Sequence, residues 1–339
     1  MISIQFNELQ QLLKQILLDH KFSEADAQMC AGIFSENTLV GVSSHGINRF
    51  PQFISLVKSG YIIPDAKPTV ENSFNALEQW DGNLGPGPIN ALAITDRAIK
   101  LSEEYGIGCI GLRNTNHWMR AGYYGWHAAE KGYILICWTN TIPIMPPWGT
   151  SEPRTGNNPI VFAFPRAEGH IVLDMALAQF SYGKLANYAR TNEELPFAGG
   201  YDKAGNLTTN PKLILDSMRP LPIGYWKGSA LSLLLDLIAT ILSGGKSTFD
   251  LGKQTEEYAV SQVFCAINPR KFNSPKLINQ IVNEILENYL GSENNGDESV
   301  LYPGARILMN RKEYLKNGIP IDEIVWKKVQ ALKGKRLKK

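Results

Sequence analysis

The chain has 339 residues, enough for two or three domains or for one large domain with a helical cap. Apolar residues make up 44% and charged residues 19%, which excludes a disordered or fibrous protein. The formal net charge is +2, but five cations crowd the last seven positions, so the rest of the chain carries 2 − 5 = −3 and a nucleic-acid-binding face is not predicted. These cations form a basic tail that we expect to be solvated: Lys333, Lys335, Arg336, Lys338 and Lys339.

Helices are predicted over the first 65 positions, which read as a helical subdomain. Leucine and isoleucine recur at the spacing of one helical face from position 9 to position 17, with Asn7 placed to cap the first helix. Ser23 and Asp26 form a capping box for a second helix that runs to about position 38. A third helix has Pro51 in its first turn and ends at Gly60.

Strands are predicted from Gly106 onward, in short β-rich runs separated by helices and by loops rich in Gly, Pro and Asn. The runs lie at positions 107–112, 133–139, 160–164, 171–175 and 258–267. Ser274 and Pro275 open a helix with one apolar face, and a last helix spans 322–332. We expect a mixed sheet with helices packed on it, and a flexible loop at 293–298.

The chain shows no sign of export or of a membrane span. Its start lacks the basic and apolar regions of a signal peptide, and the four cysteines, at positions 30, 109, 137 and 265, form no C-x-x-C pair. The apolar segment 230–242 is interrupted by Asp236 and is shorter than the roughly 20 residues that cross a bilayer, so it is predicted as a core helix. A reducing, cytoplasmic location without membrane partners is expected.

Common cofactor and nucleophile motifs are missing from the sequence. Gly82, Gly85 and Gly87 have the wrong order for the G-x-G-x-x-G turn of a Rossmann fold. Residues 244–248 imitate the end of a phosphate-binding P-loop, but Thr240 stands where the first glycine is needed, so a plain helix stop is predicted. No H-E-x-x-H, clustered His and Cys, or G-x-S-x-G is present, so neither a metal site nor a serine nucleophile is predicted.

Two short clusters, at 43–49 and 114–120, each place an imidazole beside an arginine. They contain His45 with Arg49, and His117 with Arg120, among Gly, Ser and Asn. Histidine titrates near neutrality and can give a proton to a reduced carbonyl, whereas arginine presents a charged fork to a carboxylate. The residues alone leave a catalytic and a structural role for His45 equally open.

A third polar segment, at 225–229, leads directly into the apolar helix. Lys227 before exposed helical N–H groups would suit a phosphate or a carboxylate. A simple capped turn explains the same pattern.

Taken together, these segments resemble the malate/L-lactate dehydrogenase family that lacks a Rossmann fold, over almost the full length of the chain. The matching motifs are SHGINRFP at 44–51, NHWMR at 116–120, MPPWG at 145–149, DM at 174–175 and GYWKG at 224–228. The resemblance implies an α+β fold with a mixed, largely antiparallel sheet, and a homodimer with its cofactor near the interface. It implies a helical subdomain at 1–75, completed by C-terminal helices at 310–339, and an α/β domain for cofactor and substrate at 76–309.

By this resemblance, His45 is the proton donor, while Arg49 and His117 line the substrate pocket. In some relatives the second histidine has the acid/base role, so both stay candidates. The cofactor would be NADH, with NADPH possible, because Arg306 replaces an acidic residue that could hold the ribose hydroxyls. The implied cofactor contacts are His170, Ile171, Val172, Leu173, Asp174, Met175, Ala176, Trp226, Lys227, Gly304, Ala305 and Arg306.

The resemblance favours the branch of the family that reduces a 2-oxo sugar acid by hydride transfer. Other 2-oxo acids, such as pyruvate, oxaloacetate or a ureido acid, remain alternatives within the same class. A cofactor-free sugar-acid lyase or isomerase could use the same His and Arg pair to remove a proton beside a carboxylate, and a non-catalytic sugar-acid-binding protein is the third possibility.

Overall fold

The structure of the chain, a computed structural model, describes residues 1–293 and 299–335. Most of the predicted flexible loop and the end of the basic tail lie outside the described residues. The α-helices of the described chain are α1 (Phe6–Asp19), α2 (Glu24–Leu39), α3 (Phe50–Lys58), α4 (Gly87–Tyr105), α5 (Gly122–Glu130), α6 (Tyr182–Thr191), α7 (Pro211–Ser217), α8 (Trp226–Ser243), α9 (Thr248–Leu251), α10 (Pro275–Leu290), α11 (Ala305–Asn317) and α12 (Glu323–Gln330). The strands are β1 (Ile2–Ile4), β2 (Thr69–Phe74), β3 (Leu77–Asp81), β4 (Ile107–Thr115), β5 (Ile134–Thr139), β6 (Ile160–Phe164), β7 (Ile171–Met175), β8 (Gly200–Tyr201), β9 (Leu207–Thr208), β10 (Val260–Ile267) and β11 (Ile319–Ile321).

A layer of helices, α1, α2, α3 and α12, surrounds one apolar core. The predicted cap of α2 is confirmed, since the Ser23 hydroxyl accepts a hydrogen bond from the Asp26 backbone N–H at 3.1 Å. Phe34 packs edge-on against Phe50 and Phe53, with ring centroids 5.1 and 5.3 Å apart. Each such ring contributes about 1.5–3 kcal/mol by leaving water, so this core can hold the segment between α2 and α3 in place.

Seven strands of the described chain form the large sheet, in the order β2-β3-β4-β10-β5-β6-β7. Within it β3 and β4 are parallel, while the other neighbouring pairs are antiparallel. The expected α+β class with a mixed, largely antiparallel sheet is therefore confirmed. Because β2 belongs to this sheet, residues 69–74 lie outside the helical layer, and the domain boundaries stay a prediction.

Helices cover both faces of the large sheet, but unequally. One face packs its apolar side chains, including Ile110, Leu112 and Phe264, against α4 and α5. On the opposite face α8 approaches so closely that a Cβ on Gly111 would lie 2.4 Å from the Leu242 carbonyl oxygen. Only glycine fits at this crossing, which sets the position of α8 on the sheet.

Two predictions about helix packing and capping are wrong. Residues 230–242 are not a core helix within this chain, because only one face of α8 meets the sheet: 28% of its residues are buried, and Ile241 is 73% exposed. Among the described helices, α8 is the one long and apolar enough to cross a membrane. Asn7 is not a cap, because β1 runs directly into α1 and the helix begins at Phe6, with Gln5 at the N-cap position.

Candidate active site

His45 and His117 lie face to face, the first on the helical layer and the second on a loop that leaves the large sheet. Their ring centroids are 5.7 Å apart and the ring planes differ by 24°. His45 ends a short 3-10 turn, Ser43–His45, between α2 and α3, whereas His117 lies on the loop after β4. The two predicted clusters, separated by about seventy positions in sequence, are thus brought together.

Backbone contacts fix the turn that carries His45. The Asn37 side-chain amide donates a hydrogen bond to the His45 carbonyl oxygen at 3.1 Å, and the Ile47 N–H donates to the Thr38 hydroxyl at 3.0 Å. A Cβ on Gly46 would lie 2.3 Å from the same hydroxyl. The glycine of the SHG motif therefore allows the turn to pack directly against α2.

The loop that carries His117 fixes the tautomer of its imidazole. The backbone N–H of Met119 donates to Nδ1 of His117 at 3.0 Å, so the neutral ring carries its proton on Nε2. Burial, together with the charge of Arg49 and of a protonated His45, holds the pKa of His117 well below its ordinary value of 6.5. His117 is therefore a neutral hydrogen-bond donor at physiological pH.

His45 has a more mixed environment. Burial lowers its pKa from 6.5, the negative charge of Asp174 raises it, and the charges of Arg49 and Arg120 lower it again. Ser44 Oγ lies 3.1 Å from Nδ1. Unlike His117, this imidazole has a carboxylate nearby that stabilises its protonated form.

Arg49 occupies the N-cap position of α3, beside both imidazoles. Its guanidinium makes no hydrogen bond or ion pair with any of the described residues and keeps part of its surface exposed. A partly buried cation without a partner is an open position for an anionic group of a ligand.

Asp174 and Arg120 form an ion pair close enough to His45 for both charges to shift its pKa. The Asp174 Oδ2 accepts a hydrogen bond from the Gly122 N–H at the start of α5, at 2.7 Å, and lies 3.8 Å from Arg120 Nε. Arg120 is only 7% exposed. The structure thus shows that Asp174 is the ionic partner of Arg120. In the sequence, Arg120 stands out only because it belongs to the cluster at 114–120.

Two of the three predicted cofactor segments meet beside the first half of β7. The Val172 N–H donates to the Pro303 carbonyl oxygen at 2.9 Å, and Gly304 has φ of 103° at the start of α11. A Cβ on Gly304 would lie 3.1 Å from the His170 carbonyl oxygen. Ala305 is buried behind this turn and Arg306 is exposed.

The third segment, Trp226 and Lys227, lies at the opposite end of β7. The Ile223 N–H bonds the Leu177 carbonyl oxygen at 2.8 Å, which ties the start of α8 to the chain that leaves β7. Trp226 is 63% exposed and follows Tyr225, whose φ is 57°. The segments at 226–227 and 304–306 are therefore separated by the length of the strand.

An unpaired donor beside Gly304 fits a polar ligand. The Trp126 indole Nε1–H is buried and has no acceptor among the described residues, while its ring lies 5.2 Å from that of His170. A buried donor without a partner costs about 1–3 kcal/mol, which a ligand oxygen would recover. The residues at this position thus suit a cofactor with hydroxyl or phosphate oxygens.

Glu257 is a site residue that the sequence reasoning missed. Its Oε2 accepts a hydrogen bond from the Ile142 N–H at 3.2 Å, and burial raises its pKa although Arg49 opposes that shift. The only signal in the sequence was the pair Glu256 and Glu257, on the loop before the buried strand β10. Two adjacent acids on a loop are typical of a solvated surface.

Comparison with known proteins gives a consistent result. The family model for malate/L-lactate dehydrogenase matches residues 4–330. The chain is 44% identical to 2,3-diketo-L-gulonate reductase of Citrobacter koseri and 43% identical to that of Klebsiella pneumoniae, covering 98% of this chain and 100% of each relative. Among solved structures it is similar to sulfolactate dehydrogenase from Methanocaldococcus jannaschii, with a TM-score of 0.89 and 30% identity, covering 98% of this chain and 96% of that one.

A second solved structure, delta1-piperideine-2-carboxylate reductase from Pseudomonas syringae, matches with a TM-score of 0.87 and 28% identity, covering 98% of this chain and 100% of that one. All of these relatives are named as dehydrogenases or reductases, and this family implies a nicotinamide cofactor. The chain is an oxidoreductase that acts on CH–OH groups, and it belongs to the malate/L-lactate dehydrogenase family.

Proposed function

We propose that this enzyme reduces the 2-keto group of a sugar acid, 2,3-diketo-L-gulonate, and forms 3-dehydro-L-gulonate. The observation that carries the proposal is the pair of stacked imidazoles beside the unpaired guanidinium of Arg49. The name shared by the full-length relatives at 43–44% identity supports this particular substrate.

His45 is the proposed proton donor. As hydride reaches C2, negative charge develops on the carbonyl oxygen, and an imidazolium can neutralise it by transferring its proton. Asp174 favours the charged form of His45, whereas no carboxylate of the described residues raises the pKa of His117. His117 Nε2–H instead donates a hydrogen bond to the same oxygen, since Met119 holds the other ring nitrogen.

Arg49 is the proposed partner of the substrate carboxylate. Pairing with the planar fork would fix C2 relative to the two imidazoles and prevent rotation of the bound acid.

The nicotinamide cofactor supplies the hydride. The residues proposed to hold it are the segment 170–176, Trp226 with Lys227, and Gly304 to Arg306, with the Trp126 indole as an added donor. We propose NADH as the cofactor. The exposed guanidinium of Arg306 would also admit the 2′-phosphate of NADPH, so Arg306→Glu should reduce kcat/KM for NADPH at least about tenfold and leave NADH nearly unchanged.

Activity with a panel of substrates tests the function. The purified protein is mixed with NADH or NADPH and with 2,3-diketo-L-gulonate, pyruvate or oxaloacetate, and absorbance of the reduced nicotinamide is followed. We expect the highest kcat/KM with the diketo sugar acid. Faster turnover of oxaloacetate or pyruvate would identify a dehydrogenase for another 2-hydroxy acid. Conversion of a sugar acid without cofactor would identify a lyase or isomerase.

A homodimer is proposed from the apolar surface that this chain leaves uncovered. On α8 the exposed side chains are Leu233, Leu234, Leu237, Ile238 and Ile241. Beside α8, one cross-strand row of the large sheet is apolar on every strand from β3 to β7: Leu77, Cys109, Cys265, Ile136, Phe162 and Leu173. A continuous apolar surface of this kind is typical of an obligate interface, and a second copy provides its complement.

The proposed location is the cytoplasm. None of the four cysteines is in a disulfide, which agrees with a reducing compartment.

A further inference from the structure

The carboxyl group of Glu257 is held by protein on one side only. Oε2 accepts the Ile142 N–H bond, whereas Oε1 accepts no hydrogen bond from the described residues. Part of the residue is still accessible, so Oε1 is not sealed in the core. Each carboxyl oxygen can accept hydrogen bonds at two lone pairs, and those of Oε1 are unused by the described residues.

No cation of the described chain pairs with Glu257. The charge of Arg49 lowers the pKa of Glu257, yet the two groups form no ion pair. The charge of Arg49 also lowers the pKa of both imidazoles, so Glu257, His45 and His117 share Arg49 as a charged neighbour.

The backbone around Glu257 is anchored by contacts that lead to the loop carrying His117. The ring of the next residue, Tyr258, packs against Tyr61 with centroids 4.7 Å apart, and the Gln254 side-chain amide donates to the Tyr258 carbonyl oxygen at 3.0 Å. The Asn116 amide, next to His117, donates to the Tyr61 carbonyl oxygen at 3.1 Å. The carboxyl group is thus fixed relative to the imidazoles by a chain of packed residues.

We infer that Glu257 is a specificity-determining residue that accepts hydrogen bonds from the hydroxyl groups of the sugar-acid chain and repels substrates with a second anionic group. The inference rests on the proposed function. If Arg49 binds the substrate carboxylate, the groups of the substrate that contact Glu257 are its other polar groups. Hydroxyls satisfy a half-desolvated carboxyl group. The second carboxylate of malate or oxaloacetate brings another negative charge beside a group whose pKa burial already raises, so binding has to oppose a like charge or take up a proton.

Binding of unreactive ligands tests this inference. In the presence of saturating NADH, L-gulonate, L-malate and L-lactate have no keto group to reduce, so their Kd values are measured by calorimetry without turnover. The variant is Glu257→Gln, and the matched control is Glu256→Gln, an exposed neighbour with the same loss of charge. Thermal melting of both variants checks the fold.

For Glu257→Gln we expect the Kd of L-gulonate to rise about tenfold and that of L-malate to fall about tenfold. L-lactate, which has no third polar group, should change less than about twofold, as should every ligand with Glu256→Gln. Equal changes for all three ligands, or wild-type protein that binds L-gulonate no more tightly than L-lactate, would overturn the inference. If these ratios hold while 2,3-diketo-L-gulonate is not reduced, the proposed substrate fails and the role of Glu257 stands.

Discussion

Replacing His45 by glutamine tests whether His45, and not His117, transfers the proton to the substrate. Glutamine keeps a hydrogen-bond donor but cannot transfer a proton, so the variant loses general-acid catalysis. Loss of a positioned acid costs about 10²- to 10⁴-fold in rate, or about 2.7–5.4 kcal/mol of transition-state stabilisation. Because burial lowers the pKa of His45 below 6.5, fewer than about one in ten molecules of the free wild-type enzyme carries the proton at about pH 7.5.

This protonation gives the wild type a distinctive pH profile. For reduction, kcat/KM should fall about tenfold per pH unit above the pKa of His45, since it reports the free enzyme. His45→Gln should show low and nearly pH-independent activity. His117→Gln should keep the descending limb, because His117 acts as a neutral donor, although activity falls as Met119 N–H loses its acceptor.

The assay is steady-state oxidation of NADH between about pH 5.5 and 8.5, with cofactor binding followed by fluorescence. Cofactor affinity should be retained in both variants. A His45→Gln enzyme within tenfold of wild type would refute the assignment. The two roles would be exchanged if His117→Gln lost the decrease of kcat/KM at high pH and His45→Gln kept it.

Three further results are expected. The lowered pKa of His117 means that the unfolded chain binds more protons than the folded one. The free energy of unfolding should therefore decrease as pH falls below 6.5, by up to about 1.4 kcal/mol per pH unit for this group. Urea titrations of His117→Gln should show a free energy of unfolding that depends less on pH. Ile241→Glu should convert the dimer to a monomer in light-scattering measurements, whereas Ile324→Glu, at a similarly exposed isoleucine on α12, should not; dimers in both cases would contradict the proposed interface. Gly304→Ala should raise the Kd of NADH about tenfold, because its Cβ meets the backbone of β7, while Gly60→Ala, also at positive φ but in open space, should leave it unchanged.

Local signals in the sequence predicted much of the fold. Strands β6 and β7 were predicted with their observed bounds, Ser274 caps α10 as expected, and the predicted last helix is present as α12. The predicted helix stop at Gly244 is confirmed, with φ of 63°. These elements depend on turn residues and apolar periodicity, which are readable within a short window.

Elements that depend on distant partners were missed. All six residues of β2 are exposed, so this edge strand shows no apolar alternation. For α8, composition shows that the helix is apolar but not which neighbour covers it. Similarly, α10 buries only Val282 and Leu286, and most of the apolar face predicted for it stays exposed.

The candidate site was partly visible in the sequence because its histidines and arginines lie in short clusters. Contacts between clusters were not visible: the stacking of His45 on His117, the Asp174 contact with Arg120, and the position of Glu257 all depend on how loops from different strands meet.

The pairing of β1 with β11 has a consequence for synthesis of the protein. Ile2–Ile4 and Ile319–Ile321 form one ladder, and Ser3 Oγ donates to the Asn317 carbonyl oxygen at 2.7 Å across 314 positions of sequence. The layer that carries His45 and Arg49 therefore cannot be completed on the ribosome until nearly all of the chain has emerged. Contacts of such high sequence separation form late and slow folding, so a stalled nascent chain would already carry His45 and Arg49, but in a layer that still lacks the β1–β11 ladder and the packing of α12.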